Sequence, residues 1–256
     1  MDHQRVVRYR FHWWELSLGK RTLLIYNPGE PPYDVEKRRH IKVPDLDYDA
    51  DLNAVFTTIC RTNRWGSAET RSGQGSERSK MKQVTAELGE LIRELGITSV
   101  VDAPCGDFNW MQDVDLAGAS YWGCDIVADL ISANSARHRG PGRTFRVLDF
   151  TTEHVPHADL IVCRDGLVHL SYRHIFAALK NFHDSGSRYL LTTTFPDTRE
   201  NEDIDTGWWR PINMQIPPFN LPLPLRRLSD KESENYHFDK VLALWDLRAL
   251  THHGLR

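Results

Sequence analysis

Three acids close short apolar runs at intervals that suit a nucleoside. The run at 99–101 ends in Asp102 and enters the turn Ala103-Pro104-Cys105-Gly106-Asp107. A second run ends in Asp125-Ile126 and a third in Asp149-Phe150. A small-residue turn after a strand lets backbone N–H groups come close to a ligand. Asp125 stands 23 positions after Asp102 and 19 after Gly106, the distance at which an acid reaches ribose hydroxyls. Asp149 and Phe150 add a carboxylate and an aromatic face, a pair suited to the edge and face of adenine. On these residues alone a nicotinamide or flavin site fits as well. The turn reads DAPCGD, however, and lacks the glycine triplet that admits a pyrophosphate.

A fourth apolar run leads into CRDGLVHLS, which holds Arg164, Asp165 and His169. Asp165 and His169 are four residues apart, one turn if the segment winds, and a histidine titrates near neutrality. Aromatic surface for a flat ring or a sugar face is available from Trp65, Trp110, Trp208 and Trp209, side chains that also fill cores. His154, His157, His174, His183, His252 and His253 read as solvated or capping residues.

The elements that must position these groups alternate along the chain. SERSKMKQVTAELGELIRELG puts Met81, Val84, Leu88, Leu91, Ile92 and Leu95 at helical spacing, with Gly96 as a stop. After it come strand SVVDA, a short helix around Trp110, strand SYWGCDI and a helix over about 127–137. Strands RTFRVLDF and DLIVCRD, a helix over 171–182 and strand RYLLTTTF follow. Short apolar strands interleaved with helices predict an α/β fold with a doubly wound, mostly parallel sheet. Residues 4–27 alternate enough to predict a hairpin turning at Leu18-Gly19-Lys20, and NPGEPPYD ends that unit. Residues 196–239, rich in Pro and Trp, break the rhythm before the late strand KVLALWDL. Such a segment reads as a lid or substrate wall, or as a loop packed over a sheet edge. The expected organisation is an N-terminal extension over 1–47 and a main domain over 48–256.

At this point VVDAPCGDFNWM, YWGCDI, VLDF and DLIVCRDGLVHLS together resemble, in order, the motifs of the class I S-adenosylmethionine-dependent methyltransferases. The resemblance spans roughly residues 60–195, with Pro104 where the family prefers glycine. It implies a Rossmann-like methyltransferase fold and S-adenosyl-L-methionine as cofactor. Asp102 and Gly106, with Ala103 and Pro104 between them, would flank the methionine part; Asp125 and Ile126 would meet the ribose, and Asp149 and Phe150 the adenine. In RSGQGS, residues 71–76, Arg71 would offer a cation and Ser72 and Gly73 backbone N–H groups to the methionine carboxylate; a capped loop is the alternative. Asp107 would contact the amino group or cap the next helix, and Trp110 would serve as wall or core. Methyl transfer to a hydroxyl needs alignment and a base. His169 is the candidate base, with a core histidine or a metal ligand as the other readings. Asp165 would orient the imidazole or touch acceptor or cofactor, and Arg164 would bind cofactor or an anionic group on the acceptor. Trp208, Trp209 and Arg210 are the expected substrate contacts. The segment also resembles the metal-linked motif of ubiquinone-type O-methyltransferases, but Val168 replaces the acid before the histidine. A divalent metal is therefore possible but not expected.

Composition sets the outer bounds. The chain has 256 residues, 40% hydrophobic and 26% charged, with a net charge of -3 from 32 basic and 35 acidic residues. That balance disfavours a nucleic-acid partner and allows a sizeable core. Cys60, Cys105, Cys124 and Cys163 form no CxxC pair, so neither a disulfide framework nor a structural zinc site is expected. The expected acceptor is a small hydroxylated molecule, a sugar or secondary metabolite, with an amine or nucleobase as the rival and a non-catalytic binding module as a third reading. No membrane span or signal core is read, so the expected location is cytoplasmic. The oligomeric state is not legible.

Overall fold

The computed structural model describes residues 6–10, 13–18, 21–26, 51–230 and 239–252. The chain divides into two units, residues 1–45 and 46–256. In the first, β1 (Val6–Arg10), β2 (Trp13–Leu18) and β3 (Arg21–Tyr26) form an antiparallel sheet in that order. The predicted hairpin corresponds to β2 and β3, with Leu18 opposite Arg21, and a third strand precedes it. Its turn residues Gly19 and Lys20, and the stretch NPGEPPYD, lie outside the described residues.

The second unit is built on a seven-stranded sheet. Its strands are β4 (Ser99–Asp102), β5 (Ser120–Asp125), β6 (Arg143–Val147), β7 (Leu160–Cys163), β8 (Tyr189–Thr194), β9 (Arg226–Ser229) and β10 (Val241–Asp246). Their order is β6-β5-β4-β7-β8-β10-β9. The first five run parallel, and β10 lies antiparallel to both β8 and β9. Every residue of β7 and β8 is buried, because both faces of the sheet are covered and alternation disappears.

The covering helices are α1 (Leu52–Arg61), α2 (Arg78–Leu95), α3 (Ala128–His138) and α4 (Tyr172–Asp184). In α2 the predicted stripe is buried from Met81 to Ile92, its last member Leu95 is exposed, and Gly96, at φ 62°, ends the helix in the left-handed region. Around Trp110 the expected helix shrinks to one 3-10 turn, Met111–Asp113. The segment after β8 is a packed layer: Phe195, Ile212, Met214, Phe219 and Leu221 join the core that Ile175, Leu179 and Phe182 of α4 form on one sheet face. Among the described residues no helix is long and apolar enough to cross a membrane.

The chain reverses direction of travel at β4. From there it builds outward to β5 and β6, then crosses back to place β7 on the other side of β4. In such sheets the crevice beyond the carboxyl ends of the two central strands is where ligands bind. Here that crevice lies above Asp102 and Cys163.

Candidate functional site

A cavity of about 900 Å³, its open mouth included, occupies this crevice. Its floor is made by four strand ends. From β4 come Pro104 and Gly106, from β5 Asp125 and Ile126, beyond β6 Asp149 and Phe150, and from β7 Arg164, Asp165 and Gly166. The β4 and β7 turns are closely nested: a methyl group on Gly166 would come within 2.6 Å of the Pro104 ring.

The glycine turn is held by the acid predicted to pair with it. Asp125 accepts the Gly106 N–H at 3.0 Å through one oxygen and the Val127 N–H at 2.9 Å through the other. Burial pushes its pKa up to about 6, against the pull of those backbone N–H groups. Gly106 has φ 55°, and a methyl there would sit 2.1 Å from Ser72 Oγ. The loop carrying Arg71 and Ser72 therefore packs directly on the turn. Asp107 ties the two together, accepting from Thr70 Oγ1 at 2.7 Å, Arg71 N–H at 2.7 Å and Ser72 Oγ at 3.1 Å. Arg71 itself is exposed and lines the cavity. Among the described residues its guanidinium has no hydrogen-bond or ionic partner.

On the far side Phe150 is backed by Phe182, with centroids 5.5 Å apart and ring planes inclined by 30°. Asp149 is fixed by Thr151 N–H at 2.8 Å, Thr151 Oγ1 at 2.6 Å and Thr152 Oγ1 at 3.0 Å. Helix α1 closes the cavity with Leu52, Phe56 and Cys60.

His169 ends a 3-10 turn, Leu167–His169, and lines the cavity beside Trp65, whose ring lies 4.8 Å from its own. Its Nδ1 lies 2.8 Å from the Trp208 carbonyl oxygen. A carbonyl only accepts, so Nδ1 carries the hydrogen and the neutral ring keeps its lone pair on Nε2.

Beside it Asp165, at φ 53°, accepts from Lys240 Nζ at 2.7 Å and Thr193 Oγ1 at 3.2 Å and lies 3.0 Å from Arg164. Burial alone would raise its pKa. The Arg164 and Lys240 cations outweigh that and hold the carboxyl well below the usual range. Arg164 and Lys240 are in turn bound to Asp230, at 3.0 and 3.4 Å, which completes a buried quartet of two cations and two anions.

No protein-family model and no curated protein matches the sequence. Among solved structures, the SAM-bound magnesium protoporphyrin IX methyltransferase of Synechocystis PCC 6803 aligns with a TM-score of 0.55. The alignment has 15% identity and covers 79% of this chain and 98% of that one. The chain has the class I methyltransferase fold. A SAM-dependent methyltransferase from Clostridium acetobutylicum aligns with a TM-score of 0.49 at 12% identity, over 66% of this chain and 92% of that one. A TehB-like SAM-dependent methyltransferase from Corynebacterium glutamicum gives 0.43 at 15%, over 62% and 86%.

Within this methyltransferase fold, the cavity gathers Arg71, Ser72, Pro104, Gly106, Trp110, Asp125, Ile126, Asp149, Phe150, Arg164, Asp165 and His169 of the predicted residues. Others lie elsewhere. Asp102 is buried in the sheet, where it accepts the Tyr121 hydroxyl at 2.7 Å. Ala103 continues the ladder by donating to Val162. Gly73 faces Trp65, where a methyl group would come within 3.0 Å of the Trp65 Cβ, and it does not line the cavity. Asp107 directs its carboxylate to the 70–72 loop and does not cap the 3-10 turn that follows. Arg164 reaches the cavity wall, but its guanidinium binds Asp230, Ser76 and the Gly75 carbonyl, which occupies it as an internal strut. Orientation of the imidazole falls to the Trp208 carbonyl and not to Asp165.

The three expected substrate contacts also lie off the cavity lining. Trp208 packs on Val55 and Ile59, Trp209 meets Phe195 edge-on at 6.0 Å, and Arg210 is buried on carbonyls of Leu167 and Glu202. Sequence reasoning missed α1, Lys240 and Asp230. Among the described residues no group of three or more His, Cys, Asp or Glu could hold a metal.

Proposed function

We propose that the chain is an S-adenosylmethionine-dependent methyltransferase of a small hydroxylated acceptor, with His169 as general base. One observation carries the reading. A single cavity at the sheet's switch point joins the Arg71 guanidinium, unpaired among the described residues, the acid Asp125 and the aromatic ring of Phe150 to His169, whose Nδ1 faces a carbonyl oxygen. The chemistry of this donor set fits the cofactor. Arg71 would take a carboxylate, Asp125 hydroxyls, Asp149 an exocyclic amine and Phe150 the flat base. S-adenosylmethionine, when bound there, supplies an electrophilic methyl group. The chain then has two tasks, to align the acceptor against Trp65 and to move one proton. His169 Nε2 would receive it from the acceptor hydroxyl as the methyl carbon bonds to oxygen and its bond to sulfur breaks, the electron pair leaving with S-adenosylhomocysteine. The apolar side chains of Leu52, Phe56 and Leu170 exclude water that would compete as acceptor.

Calorimetric titration with S-adenosylhomocysteine is the first test, and saturable one-to-one binding is expected. No binding, or preference for a dinucleotide, would overturn the proposal. A methyl-release assay over hydroxylated acceptors follows. His169→Ala is expected to lower turnover by about 10²–10⁴-fold while leaving S-adenosylhomocysteine binding unchanged. Turnover that survives in His169→Ala would mark an amine acceptor, whose nitrogen already offers a lone pair.

A further inference from the structure

The turn that carries His169 is gripped from behind by one short stretch, residues 207–210. Gly207 N–H donates to the His169 carbonyl at 2.7 Å, and Arg210 N–H to the Val168 carbonyl at 3.3 Å. Arg210 Nη1 donates to the Leu167 carbonyl at 3.0 Å. The fourth bond runs the other way, from His169 Nδ1–H to the Trp208 carbonyl. All three carbonyls of the turn are thus engaged by two residues, Gly207 and Arg210, some 40 positions later in sequence. An isolated 3-10 turn has poor hydrogen-bond geometry and no cooperativity of its own. Its shape is set by what holds it.

Arg210 is the side chain in that grip. It is 3% exposed, and its Nε donates to the Glu202 carbonyl at 3.2 Å while Nη1 donates to Leu167. The guanidinium lies 5.8 Å from the centre of the Tyr172 ring, and its hydrogen bonds go to carbonyls rather than to a carboxylate. Burial draws its pKa down to about 10. Burying a charge on carbonyls alone is costly, and an apolar side chain would fill the same space without that cost. What a guanidinium adds is a rigid fork that bridges two stretches of backbone at once.

We infer that Arg210 is a positioning residue: it fixes the Leu167–His169 turn so that the Trp208 carbonyl keeps His169 in its Nδ1–H form. The catalytic meaning of this rests on the base role proposed above; the tautomer it asserts does not. The Asp165 carboxylate is taken up by Arg164, Lys240 and Thr193, and the partner that the Nδ1 position meets is the Trp208 carbonyl.

Long-range proton–nitrogen correlation spectra of the full chain, labelled at histidine nitrogen, test the inference near pH 8, where neutral imidazole dominates. His169→Asn identifies the signals. Wild-type His169 is expected to be protonated on Nδ1. Arg210→Lys keeps the charge but offers one nitrogen in place of the two that reach the two carbonyls, and Arg210→Gln removes the charge. In either variant the Nδ1–H to Nε2–H ratio is expected to fall by about fivefold or more, with S-adenosylhomocysteine affinity within about threefold of wild type. Should Arg210→Gln fail to fold, Arg210→Lys and the wild-type spectrum still decide. A wild-type His169 protonated on Nε2, or a folded Arg210→Lys with an unchanged ratio, overturns the inference. Failure of wild type to bind S-adenosylhomocysteine would instead count against the proposed function and leave the tautomer result standing.

Discussion

Asp102 and Asp125 end neighbouring strands, and burial pushes their pKa values up to about 7 and about 6. A carboxyl whose folded pKa lies above its unfolded one holds a proton that the unfolded chain gives up. Its stabilising contribution is present below about pH 4 and is lost as pH rises to the folded value. Asp102→Asn mimics the protonated form and keeps an acceptor for the Tyr121 hydroxyl. It is expected to stabilise the protein near pH 8 by up to about 4 kcal/mol, from about three pKa units at 1.36 kcal/mol each, and to be close to neutral near pH 4. Urea denaturation at the two pH values measures the difference; an equal effect at both would rule out titration as the cause. Side chains whose role is local were the legible ones. Asp125, Asp149 and Phe150 follow strands directly, and the strands are plain in the sequence. Trp208, Trp209 and Arg210 were read as substrate contacts because three large side chains in a Pro-rich stretch suggest a surface. Their partners, Val55, Phe195 and Leu167, are far along the chain and invisible to local pattern.

At the scale of elements, the loop at 70–72 and the β4 turn behave as one body because Asp107 and Gly106 join them. Gly106→Ala would place a methyl 2.1 Å from Ser72 Oγ on a backbone at positive φ, itself worth roughly 1 kcal/mol of strain. The loop must move, and Arg71 with it. S-adenosylhomocysteine affinity is expected to drop by about tenfold or more, with Ser72→Gly in the same chain restoring part of the loss but not the backbone strain. Calorimetry on the three variants checks it. Helix α1 was legible and went unread. Leu52, Val55, Phe56, Ile59 and Cys60 fall at helical spacing, and Asp51 caps the helix by accepting the Ala54 N–H at 3.0 Å. Strand β9 carried no such signal. Only Leu228 of its four residues is buried, since an edge strand led by two arginines shows neither alternation nor an apolar run.

Over the whole molecule, the quartet of Arg164, Asp165, Asp230 and Lys240 joins the 75–76 loop, β7, β9 and β10. Its two cations and two anions balance, so loss of one anion strands a buried charge. Asp230→Asn is expected to cost about 3–5 kcal/mol of unfolding free energy. Adding Lys240→Met restores neutrality, and the pair should be less destabilised than the sum of its singles; denaturant titration of all three gives the coupling. The parallel sheet was legible from the rhythm of its strands. The quartet was not, since nothing local marks residues 66 and 76 positions beyond Arg164 as its counter-ions. The placement of β10 between β8 and β9 has a consequence for biogenesis. Of the seven strands it is the last to leave the ribosome, yet its neighbour β9, made earlier, can join the sheet only through it. A nascent chain can therefore zip up β4 to β8 in turn, then must wait with one edge bare until the final strand slots in, bringing Lys240 to pair with Asp165 and Asp230 as it arrives.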